Sequence, residues 1–254
     1  MMFKIAISSI IAVASADKAS IDRQLQAYIQ NSSLRAFSGN IANAVNSLDE
    51  YGCWCYFYDN VGRGKGQPVD EIDGFCKTLA DGYTCAIIDQ ELEGESCVPW
   101  EVDYNPGTGA GVNLLASCNS LNDNNCARYA CTVEGQFVDN LFAFLLSGSQ
   151  IDYNSYGHSN GFDPGHNEGC PVKGCYQPPE GNLPYNPGAF GLDVGPVITY
   201  RCNNYSAREK RCCGAYPFRF PFVTLEGERA CCGSRTYNTN LLNCCAGAQV
   251  KANC

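Results

Sequence analysis

Histidine is nearly absent from this chain: His158 and His166 are the two examples in 254 residues. No two cysteines stand in C-x-x-C spacing either. Zinc ribbons and zinc fingers are built from closely spaced pairs of those ligands, so a structural zinc site has no foothold. Long hydrophobic runs are missing too. The apolar stretch from Ile5 to Val13 is too short to cross a bilayer, and no other stretch reaches that length. Positive charge is in deficit, with 17 Lys and Arg against 26 Asp and Glu, a net charge of −9. That balance argues against nucleic acid, whose phosphates call for Lys and Arg, and disfavours adsorption to anionic membranes. Nucleotide loops are absent as well. The glycines at 62, 64 and 66 lack a Gly-Lys-[Ser/Thr] ending, and those at 107, 109 and 111 follow no strand and lack a third spaced glycine.

What the chain does have is cysteine, 18 residues of it. Cytosolic thiols are kept reduced, so this number predicts disulfides and an oxidising compartment. Lys4, the run Ile5–Val13 and the small-x-small triplet Ala14-Ser15-Ala16 have the layout of a secretory signal peptide over residues 1–16. Sequons at Asn31 and Asn204 are compatible with that route and add little by themselves. The expected location is secreted, extracellular.

Hydrophobic periodicity organises the first half. Residues from about Ser20 to Tyr51 read as helical. A glycine-rich loop, Gly62 to Gln67, ends at Pro68, which can open a helix because its missing N–H costs nothing in the first turn. The helix expected over about Val69 to Glu91 carries an inward stripe of Ile72, Phe75, Cys76, Leu79, Tyr83, Ala86 and Ile87. A second is expected from about Leu121 to Leu146, with Cys126, Ala130, Val133, Phe137, Leu141 and Leu145 facing inward. Gly, Pro, Asn and Tyr then dominate residues 149–196, which read as a linker. Residues 197–254 hold eight cysteines, with vicinal pairs at 212–213, 231–232 and 244–245, and too few apolar residues for an ordinary core. Each bridge there should contribute about 2–4 kcal/mol. The fold class is mainly α and disulfide-rich, with a loop-rich, cystine-stapled C-terminal module.

The order Tyr51-Gly52-Cys53-x-Cys55, then Gly62, Gly64 and Gly66, then Pro68-x-Asp70-x-x-Asp73, then Cys76 resembles secreted phospholipase A2. The resemblance implies a domain over residues 20–148 with two long antiparallel helices and a calcium-type loop. In that family a histidine and an aspartate come next on the helix. Here those positions hold Leu79 and Ala80; a slip of one residue gives Ala80 and Asp81 and still no histidine. The histidine is the general base that takes a proton from the attacking water, a role worth ~10²–10⁴ in rate, and leucine cannot fill it. The aspartate would supply calcium with carboxylate oxygens. The resemblance makes Trp54, Gly62, Gly64 and Asp81 the candidate calcium ligands, in the weak extracellular range of about 10⁻⁴–10⁻³ M. Glu134 matches the aspartate that orients the histidine and falls within the inward stripe.

The departures come in pairs. A bridge that the family makes between its two long helices would join positions 82 and 133, here Gly and Val. Phe75 replaces the first of two adjacent cysteines, and the resemblance implies a surviving bridge between Cys55 and Cys76. Neither His158 nor His166 is assigned catalysis, because each sits in a Gly/Asn-rich stretch. In the C-terminal region, Cys231-Cys232-Gly233-x-x-x-Tyr237-Asn238 followed by Cys244-Cys245 looks like a galaxin-type repeat of extracellular matrix proteins.

Three functions stay open at this point. One is a non-catalytic phospholipase A2-like protein that binds an extracellular protein, a matrix component or a phospholipid surface. Another is a calcium-dependent lipase cleaving the sn-2 ester of phospholipids. The third is a purely structural extracellular protein.

Overall fold

The computed structural model describes residues 21–27, 44–45, 47–57, 64–106, 114–164, 170, 210–225 and 227–254. The signal-like segment 1–16, both sequons, Gly62, His166 and most of the stretch 165–209 lie outside the described residues.

Two long helices form the frame. The first, α1 (Glu71–Leu92), starts where Asp70 leaves the helical region, φ −153°, and its side chain accepts the backbone N–H of Asp73. That contact satisfies one of the helix's orphan donors. Glu71 and Asp73 place negative charge in the first turn, where the helix dipole favours it. The short helix α2 (Leu114–Leu121) precedes the second long one, α3 (Asn125–Leu146).

The helix expected from about Leu121 to Leu146 begins four residues later, at Asn125, and residues 122–124 separate it from α2. Asn124 caps α3 by accepting the Ala127 N–H. Asn122 turns its side chain onto the backbone instead, accepting from Asn105 N–H and donating to the carbonyls of Asn105 and Cys118. Short polar side chains of this kind compete with helical backbone bonds, and three in a row end one helix and begin another.

The long helices run antiparallel. Phe75 meets Phe144 edge-on, Gly82 faces Val133, and Glu93 accepts from Asn125. Between them lies the main core, with Ile72, Leu79 and Tyr83 from α1 and Val133, Phe137, Val138, Leu141 and Phe142 from α3. Ile21 and Leu25, in the helical residues 21–27, close it from one side. Phe75, Ile87 and Leu145, placed on the inward stripes by sequence, are only half-buried.

Residues after Gly148 turn back onto this frame. A helical turn, α4 (Tyr153–Tyr156), and a 3-10 turn (His158–Asn160) lie against the chain around Tyr51. Tyr156 O accepts Gly52 N–H at 2.9 Å, and His158 N–H reaches Glu50 O at 3.0 Å. The rings of Tyr153 and Tyr156 meet the fully buried Tyr51 ring edge-on. Cys170 then bonds Cys53. The described part of the stretch read as linker is thus packed on the helical frame.

The C-terminal module, expected to be loop-rich, forms three antiparallel hairpins among its described residues. They are β1 (Lys210–Cys213) with β2 (Phe220–Val223), β3 (Arg229–Cys232) with β4 (Arg235–Asn238), and β5 (Asn243–Cys245) with β6 (Gln249–Lys251). An isolated two-stranded hairpin is marginal in water, so the bridges must hold these together. The module docks on α1. Cys212 bonds Cys85, Arg219 forks onto the Asp89 carboxylate at 2.6 and 2.9 Å, and the Tyr216 hydroxyl donates to the same carboxylate. Tyr216 also stacks on Tyr129 of α3, centroids 4.2 Å apart.

Candidate functional site

The candidate site sits where α1 passes the chain around Trp54. Ile21, Trp54, Tyr56, Phe57, Cys76, Leu79, Ala80 and Tyr83 line a pit of about 10 Å³, close to the room one water needs. Its walls are largely hydrocarbon and aromatic. Leu79 is buried in it, and Ala80 is half-buried beside it.

One turn further along α1 lies the most polar feature of the core. Glu134 of α3 is fully buried and accepts hydrogen bonds from the hydroxyls of Tyr83, at 2.7 Å, and Tyr104. A buried carboxylate is costly unless donors meet it, and two phenols meet this one. Burial, and then the adjacent Glu134 charge, push the Tyr104 hydroxyl well above the ordinary tyrosine range. Tyr83 stands four residues after Leu79, so both side chains share one helical face. Tyr104 comes from the loop after Trp100, and no periodicity in the sequence points to it.

The register of α1 against α3 is fixed by a direct contact. A Cβ built on Gly82 would fall 2.7 Å from both methyl groups of Val133. Only glycine lets Val133 approach so closely. This contact sits next to the Tyr83–Glu134 hydrogen bond and puts Leu79 one turn before it.

The chain on the other side of the pit is pinned by Asp73. Its buried carboxylate accepts the N–H groups of Cys53, Trp54 and Val69 at 2.9, 2.7 and 2.9 Å. Gly52 passes directly over it with φ +61°, and any Cβ there would strike the carboxylate at 2.5 Å. Burial raises the Asp73 carboxyl above the usual range, opposed by the three backbone donors. Tyr51 donates its hydroxyl to Asp70, and Cys55 is bridged to Cys76. Asp73 and Gly52 therefore form a structural clasp between the loop and the start of α1.

The groups named as calcium ligands do not assemble into a cage among the described residues. The Trp54 carbonyl accepts the Tyr56 N–H at 2.9 Å. Gly64 packs against the Trp54 ring, where a Cβ would lie 2.3 Å from it. Asp81 forms an ion pair with Lys77, whose ammonium lies 4.8 Å from the centroid of the Trp54 ring. Burial raises the Asp81 carboxyl and Lys77 opposes the rise. Ala80, the position next to Leu79, brings no oxygen. The remaining candidate, Gly62, lies outside the described residues. Among the described residues, Trp54, Gly64 and Asp81 bring one carboxylate, already matched by an ammonium, and by themselves fall short of the several free oxygens that a divalent cation asks for.

His158 is half-buried beside the loop. Its Nε2 lies 2.8 Å from the Gly52 carbonyl and its ring stacks on Phe162, so that nitrogen is tied to backbone.

No family model matches the chain, and no solved structure matches it. Similarity to individual known proteins is specific nonetheless. A basic phospholipase A2 of Naja sagittifera is 31% identical over 108 residues, covering 42% of this chain and 70% of that protein. The acidic phospholipase A2 PL-II of Walterinnesia aegyptia is 31% identical over 108 residues, with 42% and 65% covered. The human group IIF secretory phospholipase A2 is 29% identical over 96 residues, with 38% and 49% covered. The chain thus spans 49% to 70% of the length of these relatives.

Proposed function

The chain belongs to the phospholipase A2 family, and on that premise we propose that it is a secreted, non-catalytic member that binds rather than hydrolyses. One observation carries the reading: the helical face one turn before the Tyr83–Glu134 hydrogen bond presents Leu79, with Ala80 beside it. Hydrolysis of a phospholipid ester needs a base for the attacking water and an electrophile for the developing oxyanion. Leucine offers no proton acceptor, and alanine no ligand for a cation that would supply the electrophile. The pit around them is apolar and holds about one water. Glu134 already accepts hydrogen bonds from two phenols.

The eight bridges among the described residues support an extracellular setting. The occupants that fit are an extracellular protein or matrix component, or a phospholipid surface; the galaxin-like cysteine spacing favours a matrix component. Calcium is not required by this reading.

A second reading, calcium-dependent hydrolysis of the sn-2 ester, draws on the intact Tyr83–Glu134–Tyr104 network. The two separate in one assay: fatty-acid release from phospholipid vesicles in millimolar calcium, with chelator and Glu134→Ala as controls. The expected result is no release above background from folded protein. Calcium-dependent release that disappears in the Glu134 variant would establish the second reading. Leu79→His with Ala80→Asp should raise calcium affinity; no change at all would mean that these are not the two family positions.

A further inference from the structure

The bridges of the C-terminal module follow a single rule. In each vicinal pair the first cysteine bonds backward along the chain and the second bonds forward. Cys212 reaches back to Cys85 and Cys213 forward to Cys231; Cys232 goes on to Cys244, and Cys245 to Cys254. Each pair closes the first strand of its hairpin, so the same unit recurs three times. The result is one continuous covalent path that runs from the middle of α1 to Cys254 and touches only cysteines.

That path is short. Its bridges span 5.8, 5.4, 5.5 and 5.5 Å between Cα atoms. Three adjacent-residue steps of about 3.8 Å join them, so the whole path extends to roughly 34 Å. Beyond Cys213, everything else hangs from it as closed loops: residues 214–230, 233–243 and 246–253. Tension applied across the module is therefore borne by S–S and backbone bonds, while the hairpin hydrogen bonds carry none of it. The inner end of the path is well anchored. Cys85 is fully buried in α1, and the Arg219–Asp89 pair and the Tyr216–Tyr129 stack hold the first hairpin beside it.

We infer that the C-terminal module is a tension-bearing tether, transmitting force between α1 and Cys254 without unfolding. This function is separate from anything the pit around Leu79 does and stands whether or not the protein hydrolyses lipid. It explains why three hairpins with almost no apolar core are joined in series and not each stapled shut on itself.

Single-molecule pulling on the oxidised full chain tests it, with one handle on the exposed Glu91 position, attached by non-thiol chemistry, and the other fused after Cys254. The cysteine path plus the stretch 85–91 allows roughly 55 Å of extension, whereas the unbridged chain from 91 to 254 would reach roughly 550 Å. Extension should stop near the smaller value until reductant is added, then rise about tenfold. Release of more than about 100 Å from oxidised protein overturns the proposal. Trypsin supplies a readout that needs no variant. A cut after the exposed Arg235 should leave residues 236–254 attached through Cys232–Cys244 until reduction; their release without reductant also overturns it.

Discussion

Replacing Gly82 with alanine adds one methyl group inside α1, a change that ordinarily stabilises an exposed helix by roughly 0.5–1 kcal/mol. Here the new Cβ would lie 2.7 Å from both Val133 methyls, at least half an ångström inside ordinary contact. Val133 cannot swing aside cheaply, because a β-branched side chain in a helix has one strongly preferred rotamer. Overpacking of this kind costs roughly 1–3 kcal/mol. Set against the propensity gain, Gly82→Ala should lower stability by about 1–2 kcal/mol. Val133→Ala alone should also destabilise, by about 2 kcal/mol, since it empties a buried site. Combined, the two should partly cancel: the second methyl fills space vacated by the first, and the gain in helix propensity reappears. A double-mutant cycle by guanidinium unfolding, with bridges intact, reads this as a coupling energy above about 1 kcal/mol. Coupling within error of zero, with Gly82→Ala stabilising in both backgrounds, would refute the contact. It would also remove the register that places Leu79 one turn before Glu134.

Further expectations concern the same interfaces. The pair Gly82→Cys and Val133→Cys should oxidise to an added bridge between α1 and α3, seen as a loss of about 2 Da in intact mass; two persistently alkylatable thiols would argue against their proximity. Asp89→Ala leaves Arg219 and Tyr216 without their shared acceptor and should cost about 1–3 kcal/mol, a value discounted for partial exposure. Faster amide exchange confined to residues 210–225 is the signature, and unchanged exchange there would show the pair to be idle. At high pH the buried phenols matter. Tyr51, Tyr104 and Tyr216 are all raised, chiefly by burial. Folded protein keeps these protons when the unfolded chain has begun to lose them, so stability is full below about pH 10 and falls above it. The slope is up to about 1.4 kcal/mol per pH unit for each such tyrosine. Absorbance at alkaline pH should show a group of tyrosines ionising only as near-UV dichroism is lost; smooth titration of all tyrosines near pH 10 would contradict this.

Periodicity made the first helix readable, because Ile72, Cys76, Leu79, Tyr83 and Ala86 repeat on one face and all are buried. The inward position of Glu134 follows from the stripe that it interrupts between Val133 and Phe137. Periodicity is blind to competition from side chains, so it set the second helix to start near Leu121: the side chains of Asn122 and Asn124 bond the backbone instead, and α3 begins at Asn125. Distance along the chain hid the rest. Tyr104 lies 30 residues from Glu134, the Tyr51–Tyr156 contact joins segments on either side of α1, α2 and α3, and Cys85 finds its partner 127 residues on. Nothing local marks such pairs. The hairpins of the C-terminal module are short, three or four residues to a strand, below the length at which alternation can be read.

The bridge between Cys85 and Cys212 also has a consequence in time. At a synthesis rate of about 5–20 residues per second, Cys85 appears roughly 6–25 s before its partner exists. Cys53 waits almost as long for Cys170, while Cys55–Cys76 and Cys118–Cys131 can close soon after their second cysteines emerge. During that interval Cys85 is a thiol on a helix that is otherwise ready to pack, surrounded by newer cysteines with which it must not remain paired. Correct maturation therefore depends on thiol–disulfide exchange that can undo early mistakes, and on Cys85 staying accessible until the last fifth of the chain has been made.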